Sequence, residues 1–351
     1  MKRHTVWLAA ALLLFGIAAW LMSVGETGAV SEAKQKSRQF PSLGPESWQR
    51  QEKRLTLPAP TPSSTTDRDP LPAHKRDPML AALAPHAEVN LVFEASSIRD
   101  SPVGELLMRC LNGPRGGLAQ DTLKNKGLDL VHDLDRLAMS DNVLIASGNF
   151  GNVHWDDVLG SKPSATQDGT TFYKISQLPS AEQEIAIHRS GLVMWGAHAA
   201  LEAAVDRLEG RGPEEPPPIA PHETYGEIYG IIRSGKLSEL LPAELGAKLA
   251  DASNKVELHA DTRDDVLIVA DVEGPDPRRV EELGRALAGA LAVGRVKARV
   301  ENDKELEQLM ELSRVALHGR SFRIESAFPL ALIARSLGSC AGEDGGAKAA
   351  E

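Results

Sequence analysis

The chain has 351 residues and a formal net charge of −10 at pH 7, with 42% hydrophobic but only 4% aromatic residues. The first 85 residues carry a net charge of +4, and the remaining 266 carry −14. An acidic folded region argues against nucleic acid and anionic lipid headgroups as ligands, because both are bound through basic surfaces. The hydrophobic content is sufficient for a core, which the scarcity of aromatics predicts to be mostly aliphatic.

An uncharged apolar stretch lies near the start of the chain, at Val6–Val24. As a helix it would be roughly 30 Å long, the thickness of the hydrocarbon layer of a bilayer. Lys2 and Arg3 precede it and Glu26 follows it, which predicts a cytoplasmic N-terminus. We therefore expect residues 1–25 to anchor the protein in the inner membrane, with residues 6–24 in the lipid bilayer and the rest of the chain in the periplasm or outside the cell.

A cleaved signal peptide is the alternative for this stretch, with Ser23-Val24-Gly25 as the cleavage site. The apolar core is longer than the roughly 7–15 residues usual for a signal peptide. Both interpretations export the remainder of the chain.

Residues 26–85 are predicted to form a disordered linker. Nine prolines fall between Pro41 and Pro85, among Ser, Thr, Gln and mixed charges. Such a composition buries too little apolar surface to offset the entropy lost on ordering, and it favours an extended spacer. The small-residue tail at residues 339–351 is also predicted to be disordered.

Residues 86–211 alternate strand and helix patterns and are predicted to form a first α+β half. Asp141-Asn142 suits a two-residue hairpin turn. The predicted elements are a strand at Glu88–Glu94, a helix from Pro102, a hairpin of Arg136–Ser140 and Val143–Asn149, a strand at Thr170–Ile175, a hairpin of Glu184–Arg189 and Leu192–Trp195, and a helix at Ala197–Leu208.

A connector with five prolines at residues 212–224 leads into a second half at residues 225–338. The Gly319-Arg320 turn of its last hairpin sets Leu317 opposite Phe322 and Arg314 opposite Glu325. The predicted elements are a strand at Glu227–Arg233, a helical region at Lys236–Ala252, a hairpin of Lys255–Thr262 and Val266–Glu273, a helix from Asp276 to Gly294, a strand at Arg295–Glu301, a helix at Lys304–Leu312, a hairpin of Val315–His318 and Ser321–Glu325, and a helix at Pro329–Leu337.

Both halves follow the order strand, helix, hairpin, insert, hairpin, helix. We therefore predict an α+β fold, with a hairpin-rich mixed or antiparallel sheet and two pseudo-repeated halves. Such a sheet can cover one face with helices and leave the other to water or to a partner.

Two groups of polar residues could carry chemistry. Asp129, His132 and Asp133 would share a helix face as metal ligands might, although Asp129 is better explained as a helix cap. His154, Trp155, Asp156 and Asp157 lie in a polar, irregular stretch and are candidates for a plain surface loop, a partner contact or a site.

A third group, Glu257, His259 and Asp261, alternates along one strand. These side chains project from one face about 7 Å apart, which is wide for a shared metal, and we expect this face to be solvated. The two cysteines, Cys110 and Cys340, can pair in an oxidising compartment. Because the pattern places Cys110 on the apolar face of a helix, a buried free thiol is the favoured state.

Two segments, GLDLVHDLDRLAMSDNVLIASGNF and the late VALHGRSFRIESAFPLALIARSL, carry a resemblance. The layout from Glu88 onward resembles uncharacterised exported bacterial proteins that have a single membrane anchor and paired α+β halves. The resemblance implies no activity and assigns no role to any residue.

The sequence contains no Gly-x-Ser-x-Gly elbow, phosphate-binding loop, His-Glu-x-x-His or Cys-x-x-Cys motif. We therefore expect no catalytic residue, metal or cofactor, and we expect a non-enzymatic binding or scaffold component of the cell envelope with an envelope protein as partner. A tethered envelope hydrolase and a small-ligand sensor or carrier are the alternatives.

Overall fold

The computed structural model describes residues 38–45, 48–50, 54, 76–111, 123–174, 183–211, 215–239, 241 and 243–338. The predicted membrane segment at residues 6–24, most of the predicted linker and the tail lie outside these residues, as do Cys340 and the side chain of Cys110. None of the helices in the described ranges is long and apolar enough to cross a membrane.

Twelve strands form one antiparallel sheet, which together with the helices confirms the predicted α+β class. The strands are β1 (Val89–Phe93), β2 (Leu134–Ser140), β3 (Val143–Gly148), β4 (Ala165–Gln167), β5 (Thr170–Lys174), β6 (Gln183–His188), β7 (Leu192–Ala197), β8 (Ile228–Arg233), β9 (Lys255–Asp261), β10 (Val266–Glu273), β11 (Ser313–His318) and β12 (Ser321–Phe328).

The helices pack on both faces of this sheet. They are α1 (Pro78–Ala82), α2 (Ala95–Arg99), α3 (Pro102–Leu111), α4 (Leu130–Asp133), α5 (Trp155–Leu159), α6 (His198–Leu208), α7 (Ser234–Ser238), α8 (Ala243–Ala252), α9 (Pro277–Val300), α10 (Lys304–Glu311) and α11 (Leu330–Gly338). The stretch from Asn149 to Asp168, expected to be irregular, contains α5 and β4.

The strand order is β11-β12-β10-β9-β8-β1-β2-β3-β7-β6-β5-β4. The first strands of the two halves, β1 and β8, pair antiparallel at the centre, with Leu91 opposite Gly230. Outward from this pair, β1-β2-β3-β7-β6 in one half corresponds to β8-β9-β10-β12-β11 in the other. One sheet therefore runs through both halves, and β4 and β5 extend only the first.

Two hydrophobic cores lie on opposite faces of the sheet. Face one carries Val92 and Tyr229, and in the first half it packs under α1 and α6. Face two carries Leu91 and Leu258, and in the second half it packs under α7, α8 and α9. Because strand side chains alternate between faces, each half has one face under helices and one face left for other residues.

The two faces of the two halves divide the sheet into four quarters. The two quarters that lie outside these cores differ in polarity. On face two of the first half, the side chains are apolar and half-buried: Leu144, Ala146, Ile185, Ile187, Val193 and Trp195. On face one of the second half, the side chains are mainly polar and charged: Glu257, His259, Asp261, Asp271, Arg323 and Glu325. This polar quarter contains the candidate functional site.

The folded domain begins before the predicted end of the linker at Pro85. The side chain of Asp77 caps α1 by accepting a hydrogen bond from the Met79 N–H. Met79, Leu80 and Leu83 are buried in the core on face one. Residues 76–83 therefore belong to the folded domain, because their apolar side chains cover strands that α6 alone leaves open.

The helix that begins after Asp276 continues to Val300, and the predicted strand at Arg295–Glu301 is wrong. Alternation in Arg295–Val300 suggested a strand, but the Arg295 guanidinium lies beside α10 and donates to the carbonyls of Met310 and Ser313. Gly294 lies inside the helix, where a lone glycine costs about 1 kcal/mol relative to alanine but does not end it.

The predicted hairpin of the last two strands is confirmed with its register. Leu317 pairs with Phe322 and Arg314 with Glu325. Gly319 has a positive φ of 68°, which glycine adopts without steric cost. A two-residue turn leaves only one pairing register, and local sequence was therefore sufficient to predict it.

Candidate functional site

Three acidic residues lie side by side at one end of the central strands. Glu94 follows β1, Glu227 precedes β8 and Asp261 ends β9. The Glu94 N–H donates to the Glu227 carbonyl at 2.7 Å, and the Glu227 N–H donates to the Ala260 carbonyl at 2.8 Å. The three residues are only 5%, 4% and 5% exposed. We call Glu94, Glu227 and Asp261 the strand-end cluster.

Glu94 is neutralised from outside the sheet. Its Oε1 accepts a hydrogen bond from the Arg54 guanidinium at 2.5 Å and another from the Tyr229 hydroxyl at 2.8 Å. The Arg54 guanidinium also lies 5.9 Å from the centre of the Tyr229 ring, within range of a cation–π contact. Burial and the charge of Glu94 raise the pKa of Tyr229, so its hydroxyl stays a donor.

Glu227 is held less completely than Glu94. Its Oε2 accepts the Thr262 N–H at 2.9 Å, while the Arg50 guanidinium lies 3.9 Å from Oε1. Burial, followed by the negative charge of Asp261, raises the pKa of Glu227. The ionised form of this side chain is therefore the costly one within the cluster.

Asp261 is compensated by the residue two positions later. Its Oδ1 accepts the backbone N–H of Arg263 at 3.0 Å, and its Oδ2 accepts the Arg263 side-chain Nε–H at 2.8 Å. This local turn keeps the carboxylate in place at the end of β9.

A second buried ion pair adjoins the cluster. Arg136 on β2 donates two hydrogen bonds to Asp77, at 2.6 and 2.9 Å. Burial alone would lower the pKa of Arg136, but the hydrogen bonds and charge of Asp77 outweigh it and raise that pKa. Arg54 lies 3.7 Å from the same Asp77, and so it connects this pair to Glu94.

His259 lies on the same face and has no solvent exposure, which corrects the expectation of a solvated face for Glu257, His259 and Asp261. Its ring stacks on Tyr225 with centroids 3.6 Å apart. Its Nδ1 lies 3.2 Å from the Tyr225 carbonyl oxygen and its Nε2 lies 3.1 Å from Glu257 Oε1. Since both neighbours only accept, both contacts are hydrogen bonds when the ring is an imidazolium.

Residues from the predicted linker contact side chains at the edges of the polar quarter. Arg38 pairs with Asp265 at 2.8 Å, and the Phe40 ring lies 5.6 Å from the Arg314 guanidinium. Arg50 and Arg54 reach the strand-end cluster from the same part of the chain. Strand alternation in the sequence showed that the three side chains share a face, but nothing in it showed what covers that face.

The predicted loop candidates lie elsewhere. His154 is exposed immediately before α5, and Asp156 and Asp157 are exposed on it. Asp156 accepts a hydrogen bond from the Tyr173 hydroxyl at 2.9 Å, while Trp155 meets Phe150 edge to face. Asp156 and Trp155 therefore have a local packing role. A partner contact through His154, Trp155, Asp156 and Asp157 stays a prediction.

Asp129 caps α4, as its position in the sequence predicts, by accepting the Val131 N–H at 3.1 Å. It also contacts the His132 ring at 2.8 Å and Lys124 at 3.2 Å. Burial would raise the pKa of Asp129, but hydrogen bonds with His132 and Lys124 lower it overall. In the part of the chain that the structure describes, no three His, Cys, Asp or Glu side chains are placed to hold a metal ion.

A different kind of surface lies on α9. Val293, Val296 and Val300 are 69%, 62% and 75% exposed. They recur three and four residues apart and therefore share one face of the helix, while Val280, Leu283 and Ala298 face the protein. We call Val293, Val296 and Val300 the valine stripe.

Comparison with known proteins identifies no relative: no family model, no curated protein sequence and no solved structure matches the chain. The strand-end cluster and the valine stripe are therefore the features of the molecule from which a function can be inferred.

Proposed function

We propose that the protein is a membrane-anchored, extracytoplasmic binding component of the cell envelope without enzymatic activity. The valine stripe carries this proposal, since it exposes three large aliphatic side chains in a row on an otherwise charged helix. The anchor at residues 6–24 and the periplasmic location are part of the proposal, and the charge-free apolar stretch supports them.

An exposed apolar stripe costs free energy in water, and contact with a partner recovers it. Small residues adjoin the valines along the exposed helix surface, so a partner backbone can approach α9 closely: Ala286, Ala288, Gly289, Ala290 and Ala292.

Charge defines the partner further. Residues 285–300 contain four basic residues and no acidic one, although residues 86–351 carry a net charge of −14. Three of the four, Arg285, Lys297 and Arg299, also pair with glutamates of the chain itself. The complementary partner is an envelope protein that presents an apolar helix flanked by acidic side chains.

The polar cluster supports binding over catalysis. Each member of the strand-end cluster is already engaged by an arginine or a backbone donor. A general acid or base must instead be free to exchange a proton with a substrate. The arrangement therefore stabilises the centre of the sheet and holds Arg50 and Arg54 against it.

A tethered envelope hydrolase is the alternative function, and one observation favours it. Glu227 has a raised pKa beside Asp261, a combination found in general acids. Under this alternative, Glu227→Gln abolishes turnover of envelope material by the purified full-length protein, whereas the binding function predicts no change.

Photo-crosslinking in intact cells tests the binding function. A photoreactive amino acid replaces Val296 in the tagged full-length protein, and the same replacement at exposed Arg278 on α9 is the matched control. We expect one adduct at position 296 and none at position 278, and Val293→Asp and Val300→Asp should abolish that adduct.

The identity of the adduct decides the outcome. Support requires that the crosslinked residue of the second protein lies on an apolar helix with acidic neighbours. An adduct of twice the mass of the chain would show that the partner is a second copy of the chain and not an envelope protein. No adduct at position 296 above the level seen at position 278 would overturn the function.

A further inference from the structure

Residues 38–45, 48–50 and Arg54 lie on the folded domain, although they belong to the predicted linker. We call these residues the latch. Its contacts with the domain include Arg38 to Asp265 at 2.8 Å, Phe40 to the Arg314 guanidinium, Arg50 to Glu227 at 3.9 Å, Arg54 to Glu94 at 2.5 Å and Arg54 to Asp77 at 3.7 Å. Four of these five contacts join an arginine of the latch to a carboxylate of the domain.

We propose that the latch is a reversible clasp that sets how far the folded domain can stand from the membrane. This inference rests on the membrane anchor of the proposed function and is independent of the partner at the valine stripe.

The distance follows from chain length. A chain segment spans at most about 3.6 Å per residue. From Val24 to Arg38 this gives an upper limit of roughly 50 Å, which applies while the latch is bound. With the latch released, Arg76 is the next described residue on the domain, and the limit counted from Val24 to Arg76 is roughly 190 Å.

The contacts of the latch favour reversibility. Trp48 is 51% exposed and Leu43 is 38% exposed, whereas Pro41 is buried and Phe40 is half-buried, so only part of the apolar surface of the latch is bound to the domain. Its outer charge pairs, Arg38 with Asp265 and Arg50 with Glu227, weaken with ionic strength, because mobile ions screen charges that reach solvent.

Release of the latch also costs the folded domain only a moderate amount of free energy. Removing one partner of a buried ion pair is normally costly because the other charge stays buried. Here the latch supplies Arg54, so its departure also opens Glu94 to water. Glu94 keeps the hydrogen bond from Tyr229, and Glu227 keeps the one from Thr262.

Trypsin provides a direct test, because it must take the arginine side chain into its own pocket. The Arg54 side chain is only 10% exposed and is bound to Glu94, so the bond after Arg54 is protected while the latch is closed. Cleavage after Arg54 in the full-length protein, reconstituted in lipid nanodiscs, is compared with cleavage of a free peptide spanning residues 48–60.

We expect the bond after Arg54 to be cut at least tenfold more slowly in the protein than in the peptide. Glu94→Gln keeps an acceptor for Tyr229 but removes the charge, and it should bring the rate close to that of the peptide. Glu88→Gln, an exposed glutamate just before β1, is the matched control and should leave the protection intact. High salt should raise the cleavage rate in the same direction but by less than Glu94→Gln, because ions screen the outer pairs of the latch more than the buried pair of Arg54 and Glu94.

Circular dichroism shows whether Glu94→Gln remains folded. If it does not, Glu227→Gln serves as the second variant, because its amide oxygen still accepts the Thr262 N–H. Equal cleavage of protein and peptide would overturn the latch. Protection that neither variant nor salt reduces would overturn its release.

Neutron reflectometry on a supported bilayer measures the reach itself. The protein layer of the wild type should lie within roughly 50 Å of the bilayer. Arg50→Gln/Arg54→Gln should move it outward, while Arg278→Gln should not. A mature chain that begins at Glu26 would overturn the proposal that the latch sets the distance from the membrane, since no anchor would remain. The binding function of the valine stripe would not be affected by this result.

Discussion

Arg136 and Asp77 lie 59 positions apart in the chain and form a two-pronged ion pair, with hydrogen bonds of 2.6 and 2.9 Å. Asp77 also caps α1, so one carboxylate connects the helix that covers the first core to the strand beneath it. The ion pair of Arg136 and Asp77 therefore holds the strand-end cluster in place on the side of the first half.

Arg136→Met should therefore destabilise the domain strongly. The substitution keeps an apolar stem but leaves Asp77 buried with only the more distant Arg54 at 3.7 Å. We expect a loss of about 3 kcal/mol in the free energy of unfolding, measured by urea denaturation. Asp77→Asn combined with Arg136→Met should cost less than the two single changes together, because the pair is removed as a unit. Additive costs would contradict the coupling.

Glu227→Gln should make the protein more stable at neutral pH. Burial and the charge of Asp261 raise the pKa of Glu227, so the folded protein binds this proton more tightly than the unfolded chain does. The destabilisation caused by ionised Glu227 is therefore absent in acid, and it is complete once the pH exceeds the raised pKa of Glu227. Urea midpoints should exceed those of the wild type at about pH 7.5, and the gain should fade toward about pH 4. A lower midpoint at about pH 7.5 would show that the contact with Arg50 outweighs the burial.

Glu257→Gln should show the opposite dependence on pH. The hydrogen bond from His259 lowers the pKa of Glu257 although burial opposes it, so the ionised form stabilises the fold. That contribution is present above the unfolded pKa and is lost as the pH falls through the lowered one. We expect a cost of about 1–3 kcal/mol at neutral pH that shrinks below about pH 4.

Glu273→Gln is the control for this effect. Glu273 on β10 forms an exposed pair with Lys255 on β9, the strand that carries Glu257 and His259, and its loss should change stability by at most about 0.5 kcal/mol. An equal effect of the two substitutions would exclude a special role for His259.

Two glycines of α9 should respond in opposite directions to alanine. A Cβ at Gly289 meets no atom within 4 Å, so Gly289→Ala should stabilise by about 0.5–1 kcal/mol through helix propensity alone. A Cβ at Gly284 would lie 2.6 Å from Leu317 Cδ2 and 3.0 Å from the Phe322 ring. Gly284→Ala should therefore cost about 1–3 kcal/mol. Thermal unfolding of the two variants checks both signs, and stabilisation by Gly284→Ala would contradict the close packing of α9 on β11 and β12.

Local sequence was sufficient for most of the elements and for their hairpin partners. Asp141-Asn142 and Gly319-Arg320 each permit a two-residue turn, and the observed registers follow from them. Local sequence was insufficient at Arg295–Val300, because the alternation of these six residues fits both a helix and a strand. Packing of α9 against α10 decided between them, because Arg295 finds its acceptors on Met310 and Ser313.

The candidate site depended on contacts that no local pattern contains. The sequence determined that Glu257, His259 and Asp261 share one strand face, because side chains alternate along a strand. Only the tertiary structure decided that His259 and Asp261 on this face are buried, and the Tyr225 ring, 34 positions earlier in the chain, stacks on His259. Burial and ion pairing depend on what packs above a strand, whereas periodicity describes only the strand itself.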